Sequence, residues 1–371
     1  LKEGVIIRVR ERLLGLGVPL LHEERVGPVG LGGRVLVVIH PRLQANRRPA
    51  LDDLVHLLGQ AVKLSRTPAT IAAAYGVSVP SPTWTTPVDG VAIDSRGHIW
   101  IADRCGANSC AGSALDPILE FDAQGRFVQG FGAGMFLFPH GMSVDSKDRI
   151  WVTDQQSKDG KGAQVFAFDR TGKVVMTLGK PGVAVAGPDT FAEPTAVLVS
   201  PQGSIFVADG HSNGKGPARI VKFDAQGRFL KAWGERGAGP GQLEVPHTLG
   251  MDSKGRLFVG DRWNDRIQIY DQDGKLLDSW TQFGRPSGLF IDRNDVLYSA
   301  DSESRVPEGY GHHPGWKRGI RIGSAKTGVV TAFIPDPLGN AAPWSGPGTL
   351  SPEGVAVDKD GIVYTSQVTP A

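Results

Sequence analysis

Short apolar runs, separated by turns that contain Asp and Gly, account for most of the chain after residue 81. Runs such as residues 99–102 and 257–259 are rich in β-branched and aromatic residues, a composition that favours strands. The Asp-x-x-Gly segments, such as residues 122–125 and 271–274, favour tight hairpin turns. Because no useful stretch of helical periodicity interrupts this pattern, it predicts an all-β domain of antiparallel hairpins.

A seven-residue motif recurs six times in this region and determines the predicted fold. Its copies end at Asp94, Asp145, Ser200, Asp252, Asp292 and Asp358, about 40 to 66 residues apart. Nine residues after five of these ends lies another aspartate, and after the sixth lies Gln367; the aspartates are Asp103, Asp154, Asp209, Asp261 and Asp301. Four strands per unit at this spacing match a β-propeller. The sequence therefore predicts a six-bladed β-propeller of four-stranded antiparallel blades over residues 81–371.

The two ends of the chain depart from this pattern. The last unit reaches Ala371 after about two strands, and we expect residues 70–79 to close the propeller with a borrowed strand. Residues 1–80 form an N-terminal extension that is either disordered or contains one short amphipathic helix at residues 51–64. We expect this extension to be sequence upstream of the natural start or a poorly ordered leader. Its apolar runs are too short to span a bilayer.

Loop lengths indicate which face of the propeller carries function. In an up-and-down blade, alternate connections lie at opposite ends of the sheet, so the tight Asp-x-x-Gly turns share one face. The starts of the repeat motifs and the loops after each second strand share the other face. Those loops are long at residues 103–117 and 301–319 but short at residues 261–266. Variable loops on a rigid scaffold commonly carry function, so this second face is the predicted working face.

The second position of the repeat motif changes chemistry from copy to copy. It is occupied by Asp89, His140, Thr195, His247, Ser287 and Glu353. The two histidines and the glutamate fall in alternate units, about 120° apart in a six-bladed ring. Three such side chains pointing inward would form an open metal site with water at a remaining position. This ligand set suits zinc first, with iron or manganese as alternatives. The other interpretation is that these polar residues cap the channel and bind water.

Three further residues are expected on the same face. Arg104 and Arg262 directly follow second-strand aspartates, and guanidinium groups bind carboxylates bidentately. The alternative for each arginine is an ion pair with a neighbour such as Asp89 or Asp261. His211 extends from the third unit, where it would act as a general base or acid near neutral pH or bond a loop carbonyl.

Charge restricts the expected partners. The chain of 371 residues has a formal net charge of +2, with 11 basic and 6 acidic residues in the extension and 29 against 32 in the remainder. A near-neutral propeller without a basic, aromatic-interleaved stripe predicts no nucleic-acid partner. We expect a monomer that binds a small-molecule or peptide substrate and has no membrane span.

The chain has two cysteines, Cys105 and Cys110, which lie in one loop beside Arg104. A local disulfide would imply an oxidising compartment, so a periplasmic or secreted location is favoured. The alternative is a free pair in a cytosolic protein. The spacing without a second pair is not a zinc signature.

Several motifs resemble the NHL-repeat propellers, and specifically the peptidyl-α-hydroxyglycine α-amidating lyase family. The resemblance covers roughly residues 88 to 365 and is strongest at Phe138-Pro-His-Gly, Val207-Ala-Asp-Gly-His, Arg219-Ile-Val-Lys-Phe, Val245-Pro-His-Thr and Gly260-Asp-Arg-Trp-Asn-Asp-Arg-Ile-Gln. In that family three histidines hold zinc, two arginines bind and polarise the substrate, and a tyrosine acts in proton transfer. The resemblance implies that His140 and His247 are zinc ligands and that Arg104 and Arg262 are the two arginines.

The chain departs from the family at three positions. Glu353 replaces the third zinc histidine, and His211 replaces the tyrosine. Gly354 replaces an acidic residue that binds calcium in the family, so calcium is not expected. The loss of the tyrosine argues against the amidating reaction itself.

The sequence therefore predicts a metal-dependent lyase or hydrolase that acts on a small anionic or peptide-like substrate at the central-channel face. His140, His247 and Glu353 would hold the metal, Arg104 and Arg262 would orient the substrate, and His211 would shuttle a proton. The alternative is a non-catalytic NHL-repeat binding module for a peptide or small ligand. A third option is a lactonase-like propeller hydrolase, whose sites rely more on carboxylate and amide ligands.

Overall fold

The strands form sheets in the order in which they occur along the chain. The computed structural model describes residues 4–8, 34–38, 88–106, 108–212, 214–305, 311–336 and 351–367. Within these ranges, five sheets each have four antiparallel strands. The short strands β1 (Gly4–Arg8) and β2 (Arg34–Val38) pair in parallel.

The five blades begin at β3, β7, β11, β15 and β19. Blade 1 contains β3 (Val88–Ile93), β4 (Ile99–Asp103), β5 (Ile118–Phe121) and β6 (Phe127–Phe131). Blade 2 contains β7 (Pro139–Val144), β8 (Ile150–Lys158), β9 (Lys161–Phe168) and β10 (Val174–Leu178). Blade 3 contains β11 (Pro194–Val199), β12 (Ile205–Asp209), β13 (Arg219–Phe223) and β14 (Phe229–Trp233). Blade 4 contains β15 (Pro246–Met251), β16 (Leu257–Asp261), the 3₁₀ turn Arg262–Asn264, β17 (Arg266–Tyr270) and β18 (Leu276–Trp280). Blade 5 contains β19 (Gly288–Ile291), β20 (Val296–Asp301), β21 (Gly319–Ser324) and β22 (Val330–Pro335).

A sixth unit closes the gap between blades 5 and 1. It contains β23 (Pro352–Val357) and β24 (Val363–Gln367), and β23 lies against both β19 and β3. Its apolar side chains join the cores of both neighbours, as Val355 packs with Tyr298 and Tyr364 packs with Val91. The first strand of every unit lines a central channel. The described part of the chain is therefore an all-β propeller.

The predicted number of blades is wrong. The structure has five four-stranded blades rather than six, because only two strands of the sixth unit lie in the described ranges. Strand β2 lies beside β24. The predicted closing strand at residues 70–79 and the predicted helix at residues 51–64 lie outside the described residues. Among the described residues, no helix has the length and apolar character needed to cross a membrane.

The Asp-x-x-Gly turns form the predicted hairpins. In the first turn, Asp94 accepts hydrogen bonds on Oδ1 from the backbone N–H groups of Arg96 and His98, both at 2.9 Å. Gly97 adopts a φ of +81°, a left-handed conformation that glycine reaches without a Cβ penalty. These local hydrogen bonds define the turn at one end of the blade. The variable loops lie at the other end.

The aspartates that end the second strands fix the loops on the working face. Asp154 accepts N–H groups from Leu137 and Phe138, and Asp209 accepts N–H groups from Ala192 and Glu193. Burial raises the pKa of Asp154 to about 6, although these backbone hydrogen bonds oppose the increase. Each such carboxylate holds the segment that leads into the first strand of its blade.

Large side chains pack between neighbouring blades. Trp100 of blade 1 packs with Phe136 and Phe168 at the contact with blade 2, and all three are almost completely buried. Full burial of a Phe side chain contributes about 1.5–3 kcal/mol. These contacts hold the blades at fixed angles, so side chains from different blades keep constant positions at the channel mouth.

Candidate metal centre

His140 and His247 occupy equivalent places on blades 2 and 4, each as the second residue of a first strand. Nδ1 of His140 lies 2.8 Å from the carbonyl oxygen of Thr195, and Nδ1 of His247 lies 2.7 Å from that of Ser287. Because a carbonyl only accepts hydrogen bonds, each Nδ1 carries the proton. In the neutral ring, the lone pair is then on Nε2. A histidine that ligates a metal commonly donates its other N–H to a backbone carbonyl in this way.

These hydrogen bonds depend on close contact between blades. A Cβ atom on Gly141 would lie 2.3 Å from the carbonyl oxygen of Thr195, so only glycine allows blade 2 to approach blade 3 this closely. The hydroxyl of Thr195 in turn donates to the carbonyl oxygen of Pro246 at 2.6 Å. The non-ligand positions of the repeat motif therefore orient the histidines beside them.

His211 enters the same site from the loop after β12. Gly210, directly before it, has a φ of +136°, and a Cβ there would lie 2.1 Å from the carbonyl oxygen of Pro217. The carboxylate of Glu193 accepts hydrogen bonds from the backbone N–H groups of His211 at 2.9 Å and Ser212 at 2.6 Å. It also accepts the hydroxyl of Ser212 at 2.6 Å. The loop is therefore held in one conformation that directs His211 towards the channel.

The three histidines form one cluster. A ring nitrogen from each of His140, His211 and His247 lies within 4.8 Å of the other two. The His140 ring centroid is 5.0 Å from that of His211 and 4.7 Å from that of His247. Nε2 of His247 is buried and has no hydrogen-bond partner among the described residues. The cluster offers three imidazole donors of the kind that zinc, iron and manganese accept.

The electrostatic environment keeps these imidazoles neutral. Burial lowers the pKa of each of the three well below the usual value, and positive charge adds to this effect. For His140, the largest electrostatic contribution comes from Arg104, and for His247 it comes from Arg262. A metal ligand must be unprotonated, and neutral imidazoles meet that requirement.

Glu353 and Arg262 lie beside the cluster. Glu353 Oε1 is 3.4 Å from Nε2 of His247 and 3.2 Å from Nη1 of Arg262. The same Nη1 lies 3.2 Å from Oε1 of Glu303, and Nη2 lies 3.5 Å from Nε2 of His211. Arg285 Nε then bonds Oε2 of Glu303 at 2.9 Å. The ion-pair alternative for Arg262 is therefore present, with Glu353 and Glu303 as partners.

Arg104 is held by three contacts, two of which are with residues that closely precede His140 in the chain. Its guanidinium lies 3.9 Å from the ring centroid of Phe138, and its Nη1 donates to Oδ1 of Asn108 at 3.0 Å. Its Nε is 3.3 Å from the carbonyl oxygen of Pro139. A disulfide between Cys105 and Cys110 closes the loop that follows Arg104, so these two cysteines are paired rather than free.

The structure brings most of the predicted site residues together, but in a different grouping. Glu353 is adjacent to His247, yet among the described residues the mutually close set contains His211 in its place. The sequence prediction missed Glu193 and Glu303. Glu193 directly precedes a repeat motif, and nothing in that position distinguishes a loop anchor from an exposed acidic residue.

A second group of candidate ligands lies on the turn face. A carboxylate or imidazole atom from each of Asp94, His98 and Glu120 lies within 4.8 Å of the others. However, Nη2 of Arg96 is 2.6 Å from both Asp94 Oδ2 and Glu120 Oε1. A cationic group already neutralises these carboxylates, so this group is a structural ion-pair network.

Below the histidines, the central channel contains a cavity of about 320 Å³. His140, His247 and Glu353 line one end, and apolar residues such as Met142 and Leu289 line the interior. An apolar wall lowers the local dielectric constant, which strengthens the interactions of the charged groups at the mouth.

Comparison with known proteins identifies chains of similar sequence. No protein-family model matches the chain. Rat peptidylglycine alpha-amidating monooxygenase is 33% identical over 213 residues, which cover 51% of this chain and 21% of that protein. A Caenorhabditis elegans protein named as a probable peptidyl-alpha-hydroxyglycine alpha-amidating lyase is 28% identical over 303 residues, covering 76% of this chain and 80% of that protein. Mouse NHL repeat-containing protein 3 is 32% identical over 197 residues, covering 51% of this chain and 54% of that protein.

The chain has relatives among amidating lyases and NHL-repeat proteins. This confirms the resemblance inferred from the sequence motifs. A solved structure described as a gluconolactonase from Xanthomonas campestris has a TM-score of 0.50 and 15% identity, covering 77% of this chain and 87% of that one. At that identity the similarity supports the propeller fold alone.

The departures from the amidating-lyase pattern are neighbours in space. Arg262 lies 3.2 Å from Glu353 and 3.5 Å from His211, so it contacts both replaced positions. The two residues at which the chain departs from the pattern implied by the resemblance, Glu353 and His211, therefore share one neighbour.

Proposed function

We propose that the chain is a metal-dependent lyase or hydrolase that acts on a small anionic or peptide-like substrate at the central-channel face. The observation that carries this proposal is the convergence of His140, His211 and His247 within 4.8 Å. Two of these rings donate Nδ1–H to backbone carbonyls of the next blade, so the lone pair of each neutral ring is on Nε2. A metal-ligating histidine commonly donates its other ring N–H to a backbone carbonyl, as His140 and His247 both do here.

The donor set fits a divalent transition metal. Zinc is the proposed ion, with iron or manganese as alternatives, and calcium is not proposed because hard oxygen ligands do not dominate the site. His140 and His247 would hold the ion together with a third ligand from the same cluster. When bound, the ion polarises a hydroxyl or carbonyl oxygen or activates water.

The surrounding charges favour an anionic substrate. Three arginines, Arg104, Arg262 and Arg285, lie near three carboxylates, Glu353, Glu303 and Asp265, so a bound divalent cation would leave the site positively charged. Buried guanidinium groups at a channel mouth orient carboxylates with defined geometry. Arg104 and Arg262 would bind and orient the anionic group of the substrate.

The reaction also needs a proton acceptor. His211 and Glu353 are the candidates, and the one that does not hold the metal is placed to accept a proton from the substrate or from water. The amidating reaction itself is not proposed, because the tyrosine that serves it in the family is His211 here. The disulfide between Cys105 and Cys110 supports an oxidising location, periplasmic or secreted.

Elemental analysis of purified protein tests the proposal. We expect close to one equivalent of transition metal in the wild type and its loss in the His140→Ala/His247→Ala double variant. That result would justify screening lyase and hydrolase substrates with anionic groups. Absence of metal from both proteins, even after reconstitution with zinc, iron and manganese, would support the non-catalytic binding module instead.

A further inference from the structure

We infer that His211, rather than Glu353, is the third protein ligand of the metal, and that Glu353 stays outside the coordination sphere, bound to Arg262. The inference rests on the proposed function and assigns the residues of that same site. Relative to the family pattern, residue 353 is a glutamate instead of a histidine and residue 211 is a histidine instead of a tyrosine. On this assignment the second change compensates for the first, because the number of histidine ligands stays at three.

The first argument is distance. The ring nitrogens of His140, His211 and His247 form a mutually close set, and among the described residues Glu353 is not a member of that set. The centroid of His211 is 5.0 Å from that of His140 and 5.4 Å from that of His247, so it faces both other rings. Three imidazoles around one point match the three-histidine pattern of open zinc sites.

The second argument is that Glu353 is already engaged. Its Oε1 lies 3.2 Å from Nη1 of Arg262, and this nitrogen also lies 3.2 Å from Glu303. Arg262 is only 2% exposed, so the arginine depends on these carboxylates for compensation of its charge. Movement of Glu353 onto a metal would remove one of these two carboxylates from Arg262.

The third argument is the construction of the loop that carries His211. Glu193 accepts two backbone N–H groups from this loop, and Gly210 adopts a conformation that a residue with a Cβ would not fit. The 3.5 Å contact between Arg262 Nη2 and His211 Nε2 is at the outer limit of hydrogen bonding, so it is weak. A ligand held on a rigid backbone needs little ordering when the metal binds.

Metal titration of the full chain tests the assignment. The protein is stripped with a chelator and titrated with Zn²⁺ against a chromophoric chelator, and separately with Co²⁺ while visible absorption is recorded. The variants are His211→Ala, His211→Gln and Glu353→Gln, with His247→Ala as a variant that removes a ligand under either assignment. Thermal melts of the metal-free proteins report whether each variant folds.

We expect both His211 variants to weaken Zn²⁺ binding by about 1000-fold or more and to lose the Co²⁺ band. Residues just outside a coordination sphere typically contribute about 10–100-fold, so Glu353→Gln should weaken binding by no more than about 100-fold and keep the band. His98→Ala is the matched control, because His98 belongs to the other cluster of candidate ligands and should have no effect. On this assignment the proton-accepting role falls to Glu353.

The outcomes separate this inference from the proposed function. If the wild type and His98→Ala bind metal but Glu353→Gln weakens binding as much as His211→Ala or more, this inference alone is overturned. If the wild type binds no Zn²⁺ or Co²⁺, or if His98→Ala abolishes binding, the proposed metal centre fails and the inference fails with it.

Discussion

Nε2 of His247 lies 3.4 Å from Oε1 of Glu353, while Nδ1 of the same ring donates to the carbonyl oxygen of Ser287. Burial, followed by the charge of Arg262, holds the pKa of His247 well below its usual value. The neutral ring therefore directs a lone pair towards a carboxylate oxygen. A cation placed beside these two electron-rich atoms would stabilise both of them.

Divalent metal should therefore stabilise the folded protein. A ligand that binds only the folded state adds about 2.7 kcal/mol at a free concentration of 100 times its Kd. We expect zinc to raise the Tm of the wild type in calorimetry and a chelator to reverse this. The His140→Ala/His247→Ala double variant should show no such response. An equal rise in that variant would mean that zinc acts somewhere else on the protein.

Removal of the buried guanidinium of Arg262 should lower the free energy of unfolding. Arg262→Met leaves Glu353 and Glu303 without the cation between them, and loss of one partner of a buried ion pair typically costs about 3–5 kcal/mol. We expect a fall of that size in the free energy of unfolding, measured in urea. The double variant Arg262→Met/Glu353→Gln should recover part of the loss, because Glu303 keeps its bond to Arg285.

The control for this prediction is an exposed ion pair. Arg228 bonds Asp224 at 2.6 Å, but its side chain is 77% exposed. Such pairs contribute about 0–1 kcal/mol, so Arg228→Met should change stability little. Similar losses for Arg228→Met and Arg262→Met would show that burial does not determine the effect.

The sequence predicted the features that depend on local chemistry. Asp94 and Gly97 form a hairpin turn by bonds within five residues, so the repeat reveals strands, turns and the working face without knowledge of the tertiary structure. The antiparallel order then places His140, His247 and Arg262 at one end of the sheets.

Features that depend on distant contacts were not predictable in the same way. The position of His211 depends on Glu193, whose carboxylate reaches the loop after the second strand of the blade, 18 residues away, and no local pattern marks this bond. The grouping of His211 with the other histidines also depends on how closely the blades pack. The predicted count of six four-stranded blades was wrong, because within the described ranges the sixth unit contributes only β23 and β24 to its sheet.

A buried turn aspartate should make stability depend on pH. Burial raises the pKa of Asp145, but hydrogen bonds from Trp151 Nε1 at 2.9 Å and Arg149 Nε at 2.7 Å, with two backbone N–H groups, lower it below the ordinary 3.8. The unfolded state therefore binds the proton more readily than the folded state. The contribution of Asp145 is complete above pH 3.8 and is lost as the pH falls through the folded-state value.

The variant that tests this is Asp145→Asn. We expect its free energy of unfolding at pH 7 to be about 2 kcal/mol lower than that of the wild type, since hydrogen bonds to a charged group contribute about 1.5–3 kcal/mol. The difference should narrow as the pH falls below 3.8. Asp169→Asn, in an exposed turn of the same type, should have a smaller effect. A difference that stays constant down to pH 3 would contradict the role of the ionised carboxylate.

Glu193 should act as a positioning residue for His211. Glu193→Gln keeps the size of the side chain but removes the charge that accepts the N–H groups of His211 and Ser212. We expect the affinity for Zn²⁺ to fall by about 10-fold or more, because outer residues that orient a ligand contribute about 10–100-fold. The number of metal ions bound at saturation should stay the same, which distinguishes a displaced ligand from a lost one. Glu235→Gln, an exposed glutamate of the same blade, is the matched control, and an equal loss of affinity there would refute the positioning role.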